Sequence, residues 1–373
     1  MKIAKNKDLI LASVGFALIF MGFGAAQQFI LPAFSESGSE RLALVSLIIL
    51  YLSFTISSQF SPKIISRLGS RKTFLLSGLS YGLYILSIYF KNEYLLYLFS
   101  FLIGVGASMI WTNIGSYIIR IVSTKDRGQA LGFQTAVFMM GNLAGLAIAT
   151  ILVNLIEVQL IFILLGAFSL AGLLPFFAIK DAKIDVKSRS FSDVLSIFKT
   201  KSVMLLVLPA FLTFFLWAQL STSVGLVVKQ SFGITYVGVV GIILFLTMFL
   251  FAYPLGLLTK RAKKESILIV ALLSALIGLL GFILQLGLFV SLASIALMSI
   301  YTSTAFPVSL NLLKDLSAKD SETVAASFTL VNSLGVLSAF ISISIFKEIV
   351  TLHISLVGSI IALISLFILS RRL

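Results

Sequence analysis

Twelve apolar runs, each about as long as a bilayer-crossing helix, follow one another along the whole chain with only short charged connectors between them. A helix needs about 20 mainly apolar residues to span the hydrocarbon core. Hydrophobic residues make up 59% of the sequence and the mean hydropathy is +1.11, so little polar surface remains to show to water. The chain is expected to be all-α and polytopic, because helices satisfy their own backbone hydrogen bonds where no water can. The runs fall at about 9–31, 42–60, 73–90, 94–119, 130–153, 158–179, 203–228, 234–258, 266–286, 288–313, 323–346 and 350–370.

The net charge of +14 would suggest nucleic acid in a soluble protein, but the cations sit in the connectors. With the N-terminus in the cytoplasm, all but Arg41, Lys91, Lys229 and Lys347 of the 28 Lys and Arg residues fall on the cytoplasmic side. The positive-inside rule accounts for this bias. It places both termini in the cytoplasm, the chain in the cytoplasmic membrane, and nucleic acid outside the partners expected. Cysteine is absent, which excludes a disulfide framework, a thiolate metal site and a cysteine nucleophile. Lys2, Lys5 and Lys7 precede an apolar run too long for the core of a secretory signal, so that run reads as a retained first span.

The longest connector, Lys180 to Lys201, divides the spans six plus six. The expected organisation is an N-terminal bundle over 1–179, a cytoplasmic linker over 180–201 and a C-terminal bundle over 202–373. Phe191, Leu195 and Phe198 lie at i, i+4 and i+7 in the linker, the spacing of an amphipathic helix at a membrane surface. An internal repeat supports the division. Ser123-Thr124-Lys125-Asp126 recurs 194 residues later as Ser317-Ala318-Lys319-Asp320, and at the same offset Arg67 meets Arg261, Arg120 meets Lys314 and Gly141 meets Gly335. Two duplicated halves imply a pseudo-two-fold axis along the membrane normal and a central cavity that alternates its opening.

The connector Ser61 to Lys72 resembles the short basic loop between spans two and three of the major facilitator superfamily, whose pattern is Gly-x-x-x-Asp-Arg-x-Gly-Arg-Lys. Arg67, Gly69, Arg71 and Lys72 match it, while Pro62 replaces the first glycine and Ser66 the aspartate. The second-half connector keeps Gly256 and Arg261 but carries Lys260 at the acidic position. Topogenic charge alone explains each of these cations equally well.

In span four, Asn113, Tyr117 and Arg120 share one helical face, which must turn away from lipid. Span ten repeats the geometry with Pro307, Asn311 and Lys314. Two readings stand for Arg120 and Lys314: cations of a cytoplasmic gate, or side chains that snorkel to the interface. Gly106, Ala107, Trp111, Thr112, Gly115 and Tyr117 satisfy a Gly-Ala-x-x-x-Trp-Thr-x-x-Gly-x-Tyr signature. This stretch, with Gly22 to Gln28 of span one, resembles the "uncoordinated" branch of the superfamily. The resemblance implies membrane transport or, for some members, regulation of channels or trafficking of receptors; it also favours a monomer.

In span five, Gly141 and Gly145 form a small-xxx-small pair suited to close helix approach, with Gln134 and Asn142 alongside. Gln27 and Gln28 in span one and Gln219 in span seven, beside Trp217, suit a neutral polar ligand, since an amide both donates and accepts. Helix–helix bonding suits them nearly as well. The expected substrate cavity comprises Gln27, Gln28, Trp111, Asn113, Tyr117, Gln134, Asn142, Trp217, Gln219, Tyr301, Asn311 and Asn332. The expected cytoplasmic gate comprises Arg67, Arg71, Arg120, Asp126, Arg127, Arg261, Lys314 and Asp320.

All fourteen acidic residues lie in connectors or at span ends, and the single histidine, His353, lies near the outer end of span twelve. A carboxylate proton relay and a cationic substrate held by a buried counter-charge are therefore disfavoured. No phosphate-binding loop, zinc-protease motif or nucleophile elbow is present, so no enzyme is expected, and neither a cofactor nor a metal. The expected function is alternating-access movement of a small, neutral or amphipathic solute, with a non-transporting regulator on the same fold as the alternative. The partners are then the solute, the lipid bilayer and, for the regulator, another membrane protein.

Overall fold

The computed structural model describes residues 6–35, 40–152, 155–181, 191–221, 223–232, 235–346 and 348–373. Among these, twelve helices are long and apolar enough to cross a membrane: Lys7–Ile30, Arg41–Ser58, Ser61–Phe90, Glu93–Ile121, Thr124–Leu152, Gln159–Phe177, Lys201–Leu220, Val239–Leu258, Lys264–Ile283, Leu288–Leu316, Ser321–Ile343 and Val350–Ser370. They are spans one to twelve below. The all-α, twelve-span architecture read from hydropathy is the architecture present.

Two boundaries differ from expectation for backbone reasons. Span three begins at Ser61 rather than near residue 73, because the basic connector is itself helical, with Pro62 in its first turn where the missing N–H costs nothing. The helix breaks at Gly69, whose φ of 79° and ψ of 164° are tolerable only without a Cβ. Span seven ends at Leu220, and the apolar residues after it form a separate helix, Ser223–Phe232.

The chain packs as two compact units. The first comprises Met1–Ile121 and Val137–Phe191, the second Val122–Ala136 and Ser192–Leu373. Span five thus supplies its first turns to the second unit and the remainder to the first. In the first unit, Gly141 and Gly145 lie against the carbonyl oxygens of Ala17 and Met21 in span one, so tightly that no side chain would fit at either position. Small residues let these backbones approach, as their spacing predicts.

In the second unit Pro209 interrupts span seven without leaving an orphan. Pro209 cannot donate to Leu205 in span seven, and the Ser365 hydroxyl from span twelve donates to that carbonyl instead, at 2.6 Å. The Pro209 carbonyl in turn accepts from Tyr301 Oη at 2.6 Å and from Thr213 Oγ1 at 2.9 Å. Span ten is assembled from Leu288–Thr302, a π-helical stretch Ala305–Leu310 around Pro307, and Asn311–Leu316. The Ser309 N–H reaches the Thr304 carbonyl at 3.1 Å, a five-residue step. Such bulges inside helices are frequent at functional positions.

The linker helix Phe191–Ser196, followed by a tight turn at Ile197–Lys199, belongs to the second unit. Of the three residues expected on its apolar face, Phe198 packs against span eleven, Leu195 is exposed, and the Phe191 side chain lies outside the described residues. Val194 and Ile197 are buried, and Val194 packs with Ala326 and Leu330 of span eleven. Ser327 Oγ donates to the Val194 carbonyl at 3.0 Å. Span eleven covers the Val194 side of this helix.

Candidate functional site

Two residues of the polar stripe of span four, Asn113 and Arg120, converge on Ser70 in the first unit. Asn113 is fully buried, and its Nδ2 donates to the Ser70 carbonyl at 2.8 Å. Arg120 Nη2 donates to the Ser70 hydroxyl at 2.7 Å, and its Nε to the Ser116 carbonyl at 3.3 Å. Tyr117 Oη donates to the Lys180 carbonyl at 2.9 Å, with the Arg120 guanidinium 6.0 Å from its ring centre. Ser70 follows the break at Gly69, where the helix restarts and its first amides lack partners. Asp181 accepts from the Arg71 N–H at 3.2 Å, a carboxylate at a helix N-terminus. Arg67 is exposed and Arg71 half-buried.

Around Trp111 the first unit gathers rings from several spans. Phe16, Phe20 and Phe138 lie 5.0, 5.3 and 5.4 Å from Trp111 between ring centres. Gln27 Nε2 donates to Tyr51 Oη at 2.8 Å. Gln28 is half-buried. Asn142 Nδ2 donates to the Phe138 carbonyl of its own helix at 3.0 Å, and its Oδ1 fills the space a side chain at Gly24 would need.

The second unit holds an ionic cluster at the start of span five. Asp126 is 6% exposed; its Oδ1 accepts from Lys260 Nζ at 2.6 Å and its Oδ2 from Ser123 Oγ at 2.9 Å. Lys260 also donates to Gln129 Oε1, and Gln129 Nε2 donates to Tyr253 Oη at 2.7 Å. Arg127 is buried, and its Nη1 meets Asp315 Oδ1 at 2.9 Å, while Lys264 pairs with the other Asp315 oxygen. Beneath the charges, Gly128 and Gly132 of span five cross Gly256 of span eight with backbones nearly in contact.

The other residues singled out from sequence are placed as follows. Gln219 is fully buried, donating to the Thr351 carbonyl at 3.0 Å and accepting from Ser355 Oγ at 2.6 Å, so it joins spans seven and twelve. Tyr301 is tied to span seven through Pro209. Trp217 is half-buried, and Asn311 and Asn332 are buried. Gln134 is buried, and its Nε2 makes no hydrogen bond. Lys314 Nζ donates to the Lys319 carbonyl, Asp320 caps span eleven by accepting from the Thr323 N–H at 2.9 Å, and Arg261 is exposed.

Asp126 and Arg127 therefore pair with Lys260 and Asp315, which sequence reasoning missed as partners, and these in turn bind Gln129 and Lys264. One signal was available. Lys260 stands where the motif calls for an acid, and a cation buried in that position needs an acid from elsewhere.

Comparison with known proteins adds the family. The model of the Major Facilitator Superfamily matches residues 9–343. UNC93-like protein MFSD11 of Xenopus tropicalis is 26% identical over 221 residues, 56% of this chain and 50% of that protein. Protein unc-93 homolog A of Mus musculus is 34% identical over 113 residues, 30% of this chain and 24% of its own length. The chain spans about half the length, or less, of these curated relatives. Among solved structures, the E. coli fucose:proton symporter superposes with a TM-score of 0.75 at 15% identity, covering 97% of this chain and 98% of that one. A bacterial homologue of the iron transporter ferroportin, in an outward-facing state, superposes with a TM-score of 0.79 at 14% identity over the full length of both. At such identities the likeness is one of fold.

Proposed function

Because the chain belongs to the Major Facilitator Superfamily, we propose that it is a membrane transporter that moves a small, neutral or amphipathic solute by exposing a binding site to each side of the membrane in turn. In this reading 1–179 and 202–373 act as two six-span halves joined by the 180–201 linker, in the cytoplasmic membrane with both termini inside. The observation that carries the proposal is the ionic cluster over the Gly128–Gly132–Gly256 crossing. Buried charges with short side-chain partners form a contact with a defined made and unmade state, as a gate requires. Asp126, Arg127 and Lys260 are the gate in this account. Arg120 holds the restart of span three, and Asn113 stands on the solute path.

Purified protein in liposomes, offered a panel of neutral, anionic and cationic solutes with and without a pH gradient, tests the reading. Uptake without dependence on the gradient is expected, since the carboxylates lie at span ends. Asn113→Leu should abolish that uptake while leaving expression intact; unchanged uptake would remove Asn113 from the path.

A second reading is favoured by one name. A relative in Caenorhabditis elegans, 35% identical over 112 residues, is called a putative potassium channel regulatory protein. A regulator would move no solute in the panel and would copurify with a membrane protein, so the same preparation discriminates the two.

A further inference from the structure

Span one carries Phe16, Phe20, Phe23 and Gln27 at steps of four, three and four residues, one helical face that is aromatic for two turns and ends in an amide. In the first unit this face meets rings from spans three, four and five. Phe20 lies 5.1 Å from Tyr81, 5.3 Å from Trp111 and 4.8 Å from Phe138 between ring centres. Phe23 lies 4.9 Å from Tyr81 and 6.2 Å from Tyr84.

Two features set this group apart from ordinary apolar packing. The Tyr84 hydroxyl is buried, with the side chain 1% exposed, and lies outside hydrogen-bond geometry with its polar neighbour Ser46, whose own proton goes to the Ala43 carbonyl. A buried hydroxyl is rarely left unsatisfied, because it loses its hydration for nothing. Second, Trp111 and Gln27 keep part of their surface open, although the rest of span four from Gly106 to Ile119 is buried. A side-chain amide turned toward hydrocarbon is costly, so the open side of Gln27 belongs to a polar path. Gln27 spends an N–H on Tyr51, which leaves its carbonyl oxygen to accept.

We propose that this aromatic face binds a neutral, flat, largely apolar solute carrying one or two hydroxyl or carbonyl groups. The proposal rests on the transport reading and names its substrate class. Ring faces and edges stack flat apolar bodies. The Tyr84 hydroxyl and the Gln27 carbonyl offer a donor and an acceptor for one or two polar groups. None of the residues on this face is charged, so an ionic solute would lose its hydration without a counter-charge. A sugar, with a hydroxyl on nearly every carbon, would leave most of them unpaired among rings.

The test is saturable binding of tritiated 2-naphthol to the protein in lipid nanodiscs, counting only what excess unlabelled compound displaces. It is compared with 2-naphthoate, which carries a carboxylate on the same rings, and with glucose. Naphthol should bind, and the other two at least about tenfold more weakly. Trp111→Ala should weaken naphthol binding at least about tenfold. Tyr84→Phe keeps the ring and removes only the unpaired hydroxyl, so the fold survives, and it should weaken binding about three- to tenfold. Equal or tighter binding of naphthoate or glucose, absence of saturable naphthol binding, or native affinity in Tyr84→Phe overturns the proposal. Solute flux into liposomes is scored separately. Naphthol binding without flux of any solute removes the transport reading and leaves this site standing, whereas flux of glucose without naphthol binding does the reverse.

Discussion

The tetrapeptides Ser123-Thr124-Lys125-Asp126 and Ser317-Ala318-Lys319-Asp320 sit at the starts of spans five and eleven and differ at one position, yet their aspartates do different chemistry. Asp126 is buried and bonded to Lys260, whereas Asp320 is exposed and caps the helix that follows it. The difference lies in distant residues. At the offset of 194 that relates the two copies, Lys260 corresponds to Ser66, and Ser66 spends its hydroxyl on the Lys63 carbonyl. The connectors that carry these positions also turn differently. Gly69 breaks its helix with a positive φ, while the corresponding Lys263 does so with φ −61° and ψ 131°, open to any residue. Asp126 enters its ionic contact because a distant connector supplies Lys260.

The comparison breaks most directly at Lys260. Lys260→Glu sets two carboxylates against each other, and losing the charge-assisted bond of this partly exposed pair costs about 2 kcal/mol, roughly thirtyfold in the population that keeps the contact. The chain has no native cysteine, so Ala130→Cys, at a position that is 0% exposed, reports opening through its rate of maleimide labelling. Labelling should rise about thirtyfold in Lys260→Glu and return toward the original rate in the charge swap Asp126→Lys with Lys260→Asp. Equal labelling in all three would show that the pair holds nothing closed.

A smaller effect is expected at Gly69. Gly69→Ala forces a Cβ into a left-handed conformation beside the Asp181 carboxylate, at a cost of about 1–2 kcal/mol, whereas Lys263→Ala should change stability by less than about 0.5 kcal/mol. Thermal unfolding in detergent separates the two, and equal shifts would deny that the connectors differ in strain. The smallest effect belongs to Asp320→Ala, which loses a helix cap worth about 1 kcal/mol and should leave Ala130→Cys labelling unchanged. Faster labelling would mean that Asp320 shares the work assigned here to Asp126.

The twelve spans were legible in the sequence because lipid imposes one length and one secondary structure on every crossing. The glycine pair Gly141 and Gly145 was legible for a similar reason, since close helix approach has few chemical solutions. The helical connector before Gly69 was not, because its charges mask a helix that Pro62 starts. Periodicity marked an apolar face at Phe191, Leu195 and Phe198 of the linker helix but did not announce that Val194 would pack against span eleven, and six residues are too few for a pattern to decide. Asn113, Tyr117 and Arg120 were read as one face, yet nothing in their spacing announced Ser70 as the residue where Asn113 and Arg120 meet. The charged partners of Asp126 and Arg127, Lys260 and Asp315, lie more than a hundred residues away, beyond the reach of local pattern.

Cross-linking across the ionic cluster tests the central claim most directly. Gln129 and Tyr253 touch through their side-chain ends, so a Gln129→Cys, Tyr253→Cys chain can be bridged by a short bis-methanethiosulfonate and released by reductant. In liposomes, the bridge should stop solute uptake and reductant should restore it. Undiminished uptake by fully bridged protein would contradict the account.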